Sequence, residues 1–571
     1  MPASQLSMDP SQSKLDLVLL WHMHQPDYRD RATGDFTLPW VYLHAIKDYA
    51  DMADHLERHP GVRAVVNFVP VLLDQLDAYA EQFQLGMVRD PLLKLLTSSN
   101  LDHVTPEQRR FAIEACFRSN HTRMVDPFAP YKRLRDIYQQ VANHGDASLS
   151  YLSGQYLADL LTWYHLAWTG ESVRRRSELV TRLIAKGEQF SHGDRYALYQ
   201  LIGELVSGII PRYRRLAERG QVEMSTTPHF HPLAPLLIDF KAARDAMPEA
   251  PLPRAPAYPG GRARVERHLR SAQATHAARF GAPPAGVWPA EGAVSDAVLE
   301  IFAREGVTWS ASGQRVLGNT LARARGAAPP GDGRWCYQPY SYRGAAGEVA
   351  CFFRDDLLSD LIGFEYQSWF GRDAANDFIS RLHGVARGSR GAVVSVILDG
   401  ENAWEYYPYN GYYFLDDLYS ALESDHVVRT TTYRDYLARR PRLEPLPPLV
   451  AGSWVYGTLS TWIGEPAKNA AWDLIANAKQ NYDLVMESGR LKPEEAAAAE
   501  QQLADCESSD WFWWLGDYNP EHAVASFERR FRAKLAHLYR LLKLPVPELL
   551  KVPLSSGGGH PEAGGAMRRA S

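Results

Sequence analysis

The sequence predicts an α/β fold around a parallel sheet, either an incomplete TIM-like barrel or a large doubly wound sheet. Short apolar runs rich in β-formers recur through the first 400 residues, and most are apolar without alternation, as in VVNFV and VVSVIL. Strands covered by helices on both faces have this pattern. Helical patterns lie between several of the runs, for example at residues 265–280 and 295–304.

Seven candidate strands follow in order, and an eighth candidate comes after them. The seven lie at residues 15–22, 63–70, 221–227, 285–289, 306–312, 348–354 and 391–398, and the eighth lies at 427–432. The spacing is uneven, because the stretch 71–219 is helical in pattern and too long for a single crossover helix. We therefore expect a helical insertion at about 71–219 within a barrel that spans 15–440.

The remainder of the chain predicts a second, helical domain. The Pro-rich segment 441–448 is typical of a linker, and helical periodicity resumes beyond residue 466. We expect a C-terminal α-helical bundle domain at 449–552 that completes the site built by the barrel. The N-terminal residues 1–14 are expected to be flexible, and the Gly-rich tail 553–571 is expected to be disordered.

Composition excludes several classes of protein. The 571 residues carry 62 Lys and Arg against 67 Asp and Glu, a net charge of −5, so the chain lacks the basic footprint of a nucleic-acid-binding protein. The apolar run 17–21 is too short for a signal sequence or a membrane span.

Four widely spaced cysteines without a C-x-x-C pair are typical of free thiols, so we expect a cytoplasmic protein without membrane partners. The 15 Trp, 29 Tyr and 20 Phe offer faces that suit sugar rings and bases equally.

Polar residues concentrate at the ends of four candidate strands. They are His22 and His24 at the first strand, Glu223 and His231 at the third, Glu291 behind Trp288 at the fourth, and Asp399 and Glu401 before Trp404 at the seventh. The carboxyl ends of the strands form the active-site face of an α/β barrel. A single carboxylate there is often only a helix cap, and Ser295 is itself a candidate N-cap after Glu291. Four such strand ends interleaved with tryptophan favour a functional site.

Asp399 and Glu401 lie two residues apart, so on a strand they would face the same side. One of them is a candidate catalytic group. The other is then a candidate substrate clamp or a neighbour that tunes the pKa of the first. An ordinary salt bridge is the alternative interpretation of Glu401.

Two His-x-His pairs, at 22–24 and 229–231, also permit metal chemistry, since such pairs are good ligands for zinc or iron. This alternative predicts a metal-dependent hydrolase of the amidohydrolase kind. Against it, the strand ends at 309–313 and 352–356 offer no histidine, and the sequence has no H-E-x-x-H motif. The sequence also has no phosphate-binding glycine loop and no G-x-S-x-G nucleophile elbow. We therefore expect no metal and no cofactor, and we favour histidines that hydrogen-bond sugar hydroxyls.

Five motifs, in order along residues 15–517, resemble those of glycoside hydrolase family 57, whose members act on α-glucans. They are His22-Met23-His24-Gln25-Pro26, Gly220-Gln221-Val222-Glu223, Trp288-Pro289-Ala290-Glu291, Leu398-Asp399-Gly400-Glu401-Asn402 and Ser509-Asp510-Trp511-Phe512-Trp513. One such motif is a weak signal, but five in family order are specific. The resemblance implies an incomplete, seven-stranded (β/α)7 barrel followed by a helical domain.

The resemblance also implies roles for individual residues. Glu291 is similar to the family's nucleophile, and Asp399 is similar to its general acid/base. His22, His24 and Glu223 resemble residues that hold the sugar at the cleavage subsite, and Asp510 and Trp513 resemble the fifth motif, which the helical domain supplies. Further candidates for substrate binding, from their places in the motifs and at the strand ends, are His231, Trp288, Glu401 and Trp404.

The fourth motif and its context are similar to the amylase and amylopullulanase branch of the family rather than to the branching enzymes. One departure is Ala290, which separates Trp-Pro from Glu291 where many members have Trp-x-Pro-Glu. Retention of configuration requires two carboxyl groups about 5–5.5 Å apart. The acid has to stay protonated near neutral pH, so we expect a raised pKa for Asp399, from burial or from like-charge neighbours such as Glu401.

The resemblance therefore implies a retaining hydrolase of α-1,4-glucans (starch, glycogen or maltooligosaccharides), with α-1,6 links as a further candidate linkage. A transglycosylase of the same family, either a 4-α-glucanotransferase or a branching enzyme, is the first alternative. The metal-dependent hydrolase is the second, and a non-catalytic glucan-binding protein is the third, although the presence of both Glu291 and Asp399 argues against it. The sequence does not define an oligomeric state.

Overall fold

The computed structural model describes residues 14–389, 391–555 and 557–558. The expectations of a flexible segment at 1–14 and a disordered tail at 553–571 therefore fall largely outside the described residues. Within them the chain forms ten strands, numbered here in order: β1 Leu15–Met23, β2 Ala64–Phe68, β3 Val222–Thr226, β4 Gly286–Val287, β5 Trp309–Gly313, β6 Tyr340–Gly344, β7 Gly347–Arg354, β8 Val393–Asp399, β9 Val428–Thr430 and β10 Glu444–Pro445.

Seven of the described strands close into a parallel barrel. β1 pairs with β2 on one side and with β8 on the other, and the path continues from β2 through β3, β4 and β5 to β7. A pairing between Arg354 of β7 and Ser395 of β8 closes the ring. The predicted seven-stranded barrel is confirmed, and its closure excludes the doubly wound sheet.

Four barrel strands are buried along their whole length. All nine residues of β1 and all five residues of β2, β3 and β5 are buried, which explains why β1 and β2 are largely apolar without alternation. The sequence did not predict β6 and β10. They lie outside the barrel, where β6 pairs antiparallel with β7 and parallel with β10. The last residues of β6 are partly exposed, so this strand lacks a continuous apolar run.

Helices fill the connections between the strands. Between β1 and β2 lie Trp40–His44 and Ala50–Arg58. The helical stretch between β2 and β3 consists of Pro70–Leu85, Pro91–Thr97, Pro106–Cys116, Ala129–Ala142, Gly154–Ala167, Glu171–Arg176, Glu178–Lys186 and His192–Glu218. The later barrel helices are Ala234–Ile238, Ala243–Ala246, Gly261–Phe280, Asp296–Arg304, Gln314–Arg325, Asp356–Asp360, Gly371–Gly388, Tyr412–Ser424 and Tyr433–Ala438. Ser295 caps its helix as the sequence indicated, since its side chain accepts a hydrogen bond from the Val298 N–H.

The C-terminal region is helical, as the sequence predicted. Its helices are Pro466–Glu487, Pro493–Cys506, Ser509–Trp514 and Glu521–Leu541. Across the described residues, the helices are all too short or too polar to cross a membrane. All four cysteines are buried and carry free thiols.

A buried ionic cluster fixes the C-terminal region to the barrel. The Glu507 carboxylate accepts hydrogen bonds from the Tyr258 hydroxyl at 2.6 Å, from Arg264 Nε at 2.7 Å and from His268 Nε2 at 2.7 Å. Burial raises the pKa of Glu507, but Arg264 and His268 together hold it well below its usual range. Because Glu507 immediately precedes Ser508, the N-cap of helix Ser509–Trp514, this cluster sets the position of that helix.

We expect Glu507→Ala to lower the free energy of unfolding by about 3–5 kcal/mol, because it leaves the buried Arg264 guanidinium without its main counter-charge. Thermal and denaturant unfolding followed by circular dichroism measure the effect. Glu548→Ala is the control, since its side chain is 82% exposed and pairs with Lys551 at the surface. Equal stability of the two variants would contradict an anchoring role for Glu507.

Candidate active site

The carboxyl ends of the barrel strands surround one cavity of about 920 Å³, part of it open to solvent. His22 near the end of β1 lies level with Asp399 at the end of β8 in the parallel register. The cavity brings together eight of the residues that the sequence singled out: His22, His24, His231, Glu291, Asp399, Glu401, Asp510 and Trp513. The last two come from helix Ser509–Trp514, so the C-terminal region supplies part of the lining.

Glu291 sits in the tight turn Ala290–Gly292 that follows β4. Its φ of 57° is left-handed, a conformation that costs a non-glycine residue free energy and is concentrated at functional sites. The carboxylate accepts one hydrogen bond from Ser509 Oγ at 3.2 Å and another from the Trp454 indole Nε1 at 3.2 Å. Both carboxylate oxygens are therefore held by neutral donors from beyond the barrel.

The environment of Glu291 favours its protonated form. Burial is the main cause, and the neighbouring carboxylates of Asp510 and Asp399 add to it, so the pKa of Glu291 rises to about 8. The Trp454 and Ser509 hydrogen bonds oppose this shift.

Asp399 is the last residue of β8, and its Oδ2 accepts a hydrogen bond from Asn402 Nδ2 at 2.9 Å. Burial raises the pKa of Asp399 to about 6, while Asn402, His24 and Arg354 oppose the shift. The expected raised pKa is therefore present, and burial is its main cause. Asp399 also contributes to the raised pKa of Glu291, and between pH values of about 6 and about 8 the two carboxyl groups together hold one proton, which lies mainly on Glu291.

Glu401 lines the cavity but is almost fully buried. Its Oε1 accepts hydrogen bonds from Gln25 Nε2 at 2.9 Å and from the His24 N–H at 3.4 Å. Burial raises the pKa of Glu401 well above its usual range. The geometry ties Glu401 to the backbone of the first motif, so it contributes to the position of His24.

Three histidines stack in the cavity. The rings of His24 and His231 lie 3.9 Å apart, and those of His22 and His231 lie 5.3 Å apart. His24 Nε2 lies 2.8 Å from Asp510 Oδ2, and His231 Nδ1 lies 2.7 Å from Ser509 Oγ. Burial, together with His24, lowers the pKa of His22 to about 3, and burial lowers that of His231 well below its usual value. Both are neutral near pH 7.

The Ser509 hydroxyl links two of these groups. When Glu291 is ionised, the Ser509 proton points to Glu291, so the Ser509 oxygen accepts from the Nδ1–H of His231. His231 then carries its proton on Nδ1. Its Nε2 is buried and has no hydrogen-bond partner among the described residues, which leaves it able to accept a hydrogen bond from a ligand hydroxyl.

The same histidines do not form a convincing metal site. His24, His231 and Asp510 each offer an atom within 4.8 Å of the others. However, the lone pairs of imidazole nitrogens lie in the ring plane, and zinc binds them at about 2.0–2.1 Å. The two rings are stacked 3.9 Å apart at 19°, so a single ion could not lie near both ring planes at that distance.

The amino-acid sequence matches the profile of a known enzyme family. The profile of glycosyl hydrolase family 57 matches residues 18–446, about three quarters of the chain. The chain belongs to glycosyl hydrolase family 57. The predicted family is thereby confirmed, and the first four motifs lie within the matched residues. No curated protein matches the chain.

Several solved structures share the fold. The branching enzyme of Thermococcus kodakaraensis matches with a TM-score of 0.56 at 17% identity, over 93% of this chain and 90% of that one. The α-amylase AmyC of Thermotoga maritima matches with a TM-score of 0.55 at 12% identity, over 93% of each chain. The branching enzyme of Pyrococcus horikoshii matches with a TM-score of 0.53 at 15% identity, over 96% of this chain and 98% of that one. At these identities the likeness shows the fold alone.

Three candidate residues of this family-57 chain lie outside the lining of the cavity as the structure describes it. Trp288 is buried and packs edge-on against Trp454 at 5.3 Å, so it supports the cavity wall from behind. Trp404 is buried against Trp21 and donates its indole N–H to the Gly400 carbonyl.

Glu223 is the third, and it lies in the barrel interior. Its carboxylate accepts hydrogen bonds from the Trp309 indole Nε1 at 2.7 Å and from the Arg434 N–H at 2.9 Å. These two contacts join the barrel interior to the start of helix Tyr433–Ala438. The structure thus gives Glu223 protein partners at both carboxylate oxygens.

Trp454 is a cavity residue that sequence reasoning missed. It lies between the barrel and the C-terminal helices, in a segment that matches none of the five motifs. The structure brings Trp454 to Glu291 by backbone pairing, since the Trp454 N–H donates to the Glu291 carbonyl at 3.1 Å and Gly452 pairs with Val294. The missed residues Ser509, Asn402 and Gln25 lie within motifs and were detectable as neighbours of assigned residues.

We expect Glu291→Gln and Asp399→Asn each to lower kcat on an α-glucan by about 10³-fold or more while binding survives, because each removes one of the two reacting carboxyl groups. Steady-state kinetics and calorimetric binding measure the two effects, with the exposed Glu249→Gln as control. Azide should restore activity to Glu291→Gly and give a glycosyl azide of inverted configuration. Near-normal turnover in Glu291→Gln or in Asp399→Asn would exclude these two residues as the catalytic pair.

We expect kcat/KM to depend on pH as a bell with limbs at about 6 and about 8. Below the lower limb the pair gains a second proton, and Glu291 can no longer attack. Above the upper limb the pair loses both protons, and no acid remains for the leaving group. Initial rates between pH 5 and 9 measure this, and a flat profile across that range would contradict the shared proton.

Proposed function

We propose that this family-57 chain is a retaining glycoside hydrolase that cleaves α-1,4-glucans by double displacement, with α-1,6 links as a second linkage. The observation that carries the proposal is the pair Glu291 and Asp399, which face one cavity at the carboxyl ends of β4 and β8 with pKa values of about 8 and about 6. This chemistry requires the single proton of the pair on Asp399 with Glu291 ionised, so the reactive form is the minor one at these pKa values.

The proposed reaction assigns a task to each group. Asp399 protonates the oxygen of the scissile bond while Glu291 attacks the anomeric carbon, and a covalent glycosyl-enzyme forms. Asp399 then takes a proton from water, which attacks the same carbon and releases Glu291. The Trp454 and Ser509 donors orient the attacking carboxylate.

His24 and Asp510 are proposed to hold hydroxyl groups of the sugar at the cleaved bond. Trp513 is proposed to stack on a sugar ring, since it lies in the same cavity wall. Asp510 has its pKa held below the usual range because His24 and Ser508 outweigh the effect of burial, so it is ionised and accepts hydrogen bonds.

A cytoplasmic location is part of the proposal and is supported by the four buried free thiols.

Transglycosylation is the second candidate function. It uses the same glycosyl-enzyme and differs only in the acceptor, which is a sugar hydroxyl instead of water. The fold likeness to two branching enzymes supports it, and the likeness to an α-amylase supports hydrolysis to a similar extent. The stacked histidine rings argue against the metal-dependent alternative.

Products from maltoheptaose test the proposal and separate the two candidates. Proton NMR in the first minutes should show the α-anomer, because two displacements restore the configuration. Chromatography should show shorter oligosaccharides with a matching rise in reducing ends. Longer products without that rise would favour transfer, and a β-anomer formed first would exclude double displacement. Glu291→Gln is the control for contaminating activity.

A further inference from the structure

A second groove lies on the same edge of the barrel as the catalytic cavity. It encloses about 1070 Å³, part of it open to solvent, between helix Gln314–Arg325, which follows β5, and helix Asp356–Asp360, which follows β7. The residues that line it are Gln314, Arg315, Gly318, Asn319, Trp335, Asp356, Leu357, Asp360 and Tyr456. None of them belongs to the five sequence motifs.

The groove adjoins the catalytic cavity at two points. Arg354 lines the cavity, and its guanidinium donates to Asp356 and to Asp360 in the groove, both at 2.8 Å. On the other side, Trp454 and Val455 line the cavity, whereas the next residue, Tyr456, lines the groove. The groove and the cavity are therefore neighbours at the same edge of the barrel.

The groove presents apolar and aromatic surface to solvent. Leu357 is 61% exposed and Tyr456 is 40% exposed. The Trp335 indole lies across Gly318, where a Cβ atom would meet the ring at 3.3 Å. Tyr456 has a left-handed φ of 58°, which costs a tyrosine free energy and holds its ring at the surface. Strained residues are concentrated at functional sites, so the exposed Tyr456 ring is a candidate ligand contact.

The polar side chains of the groove indicate a neutral, hydroxyl-rich ligand. Gln314 and Asn319 are amides, and the carboxylates of Asp356 and Asp360 both pair with Arg354, while Arg315 also lines the groove. Flat aromatic rings beside amide and carboxylate groups match the alternating apolar faces and hydroxyl edges of a sugar chain.

We propose that this groove binds glucosyl units of an α-glucan that lie remote from the cleaved bond, so that long chains are held across both the groove and the cavity. The proposal rests on the proposed function and adds a determinant of chain length. Contacts to remote units contribute binding energy that raises kcat/KM for long substrates only.

The experiment compares maltoheptaose with 4-nitrophenyl α-maltoside, which is too short to reach beyond the cavity. Tyr456→Ala and Trp335→Ala should each lower kcat/KM on maltoheptaose by about 3- to 10-fold and leave the short substrate unchanged. Tyr456→Phe should retain the wild-type ratio, because it keeps the ring. Tyr151→Ala is the matched control, since Tyr151 is 87% exposed on the distant helical insertion.

Binding of maltoheptaose to Glu291→Gln, measured by calorimetry with and without Tyr456→Ala, gives a readout independent of turnover. Suppose that the wild-type chain cleaves maltoheptaose and that both alanine variants keep its chain-length preference and its affinity. This result would overturn the proposed binding role of the groove and leave the proposed function in place. A chain that neither binds nor cleaves maltooligosaccharides would overturn both. Equal losses of kcat/KM on the long and short substrates would show damage to the cavity and would also overturn the proposed binding role of the groove.

Discussion

The burial of several carboxyl groups in one cavity is the constraint on which the rest of the structure depends. Glu291, Asp399, Glu401 and Asp510 all line the cavity, and Arg354 is the cation beside them. Their hydrogen-bond donors are mostly neutral: Trp454, Ser509, Asn402 and Gln25. Neutral donors stabilise an ionised carboxylate less than a guanidinium would, so burial dominates and the pKa values of Glu291 and Asp399 rise. A site that holds one proton between two acids is the consequence.

Such a cavity needs a closed wall, and the barrel alone does not supply one. Glu291 and His231 both have left-handed φ angles, near 57° and 58°. Backbone pairs from beyond the barrel hold both, since the Trp454 N–H bonds to the Glu291 carbonyl and the Ser509 N–H bonds to the His231 carbonyl at 2.9 Å. Strained residues persist where surrounding structure over-determines them. The segments after the barrel therefore fix the backbone conformation of Glu291 as well as covering its side chain.

One short segment combines anchoring and chemistry. Glu507 is buried in an ionic cluster with Arg264 and His268, outside the cavity. Three residues later, Asp510 points into the cavity and contacts His24. The anchor sets the position of helix Ser509–Trp514, and the helix then presents Asp510 and Trp513 from one face. This arrangement explains how a helical region late in the chain can share a cavity with barrel strands.

The sequence by itself determined the barrel and most of the cavity. Buried parallel strands are rich in apolar residues and β-formers, so all seven barrel strands were predicted, and polar residues at their carboxyl ends indicated the site. Tertiary structure alone decided the partners of those residues. Trp454 contacts Glu291 although the two residues are 163 positions apart in the sequence. Glu223 accepts a hydrogen bond from Trp309 in the barrel interior. Sequence patterns record local periodicity and motif order, whereas such contacts depend on how distant segments pack, which no local pattern encodes.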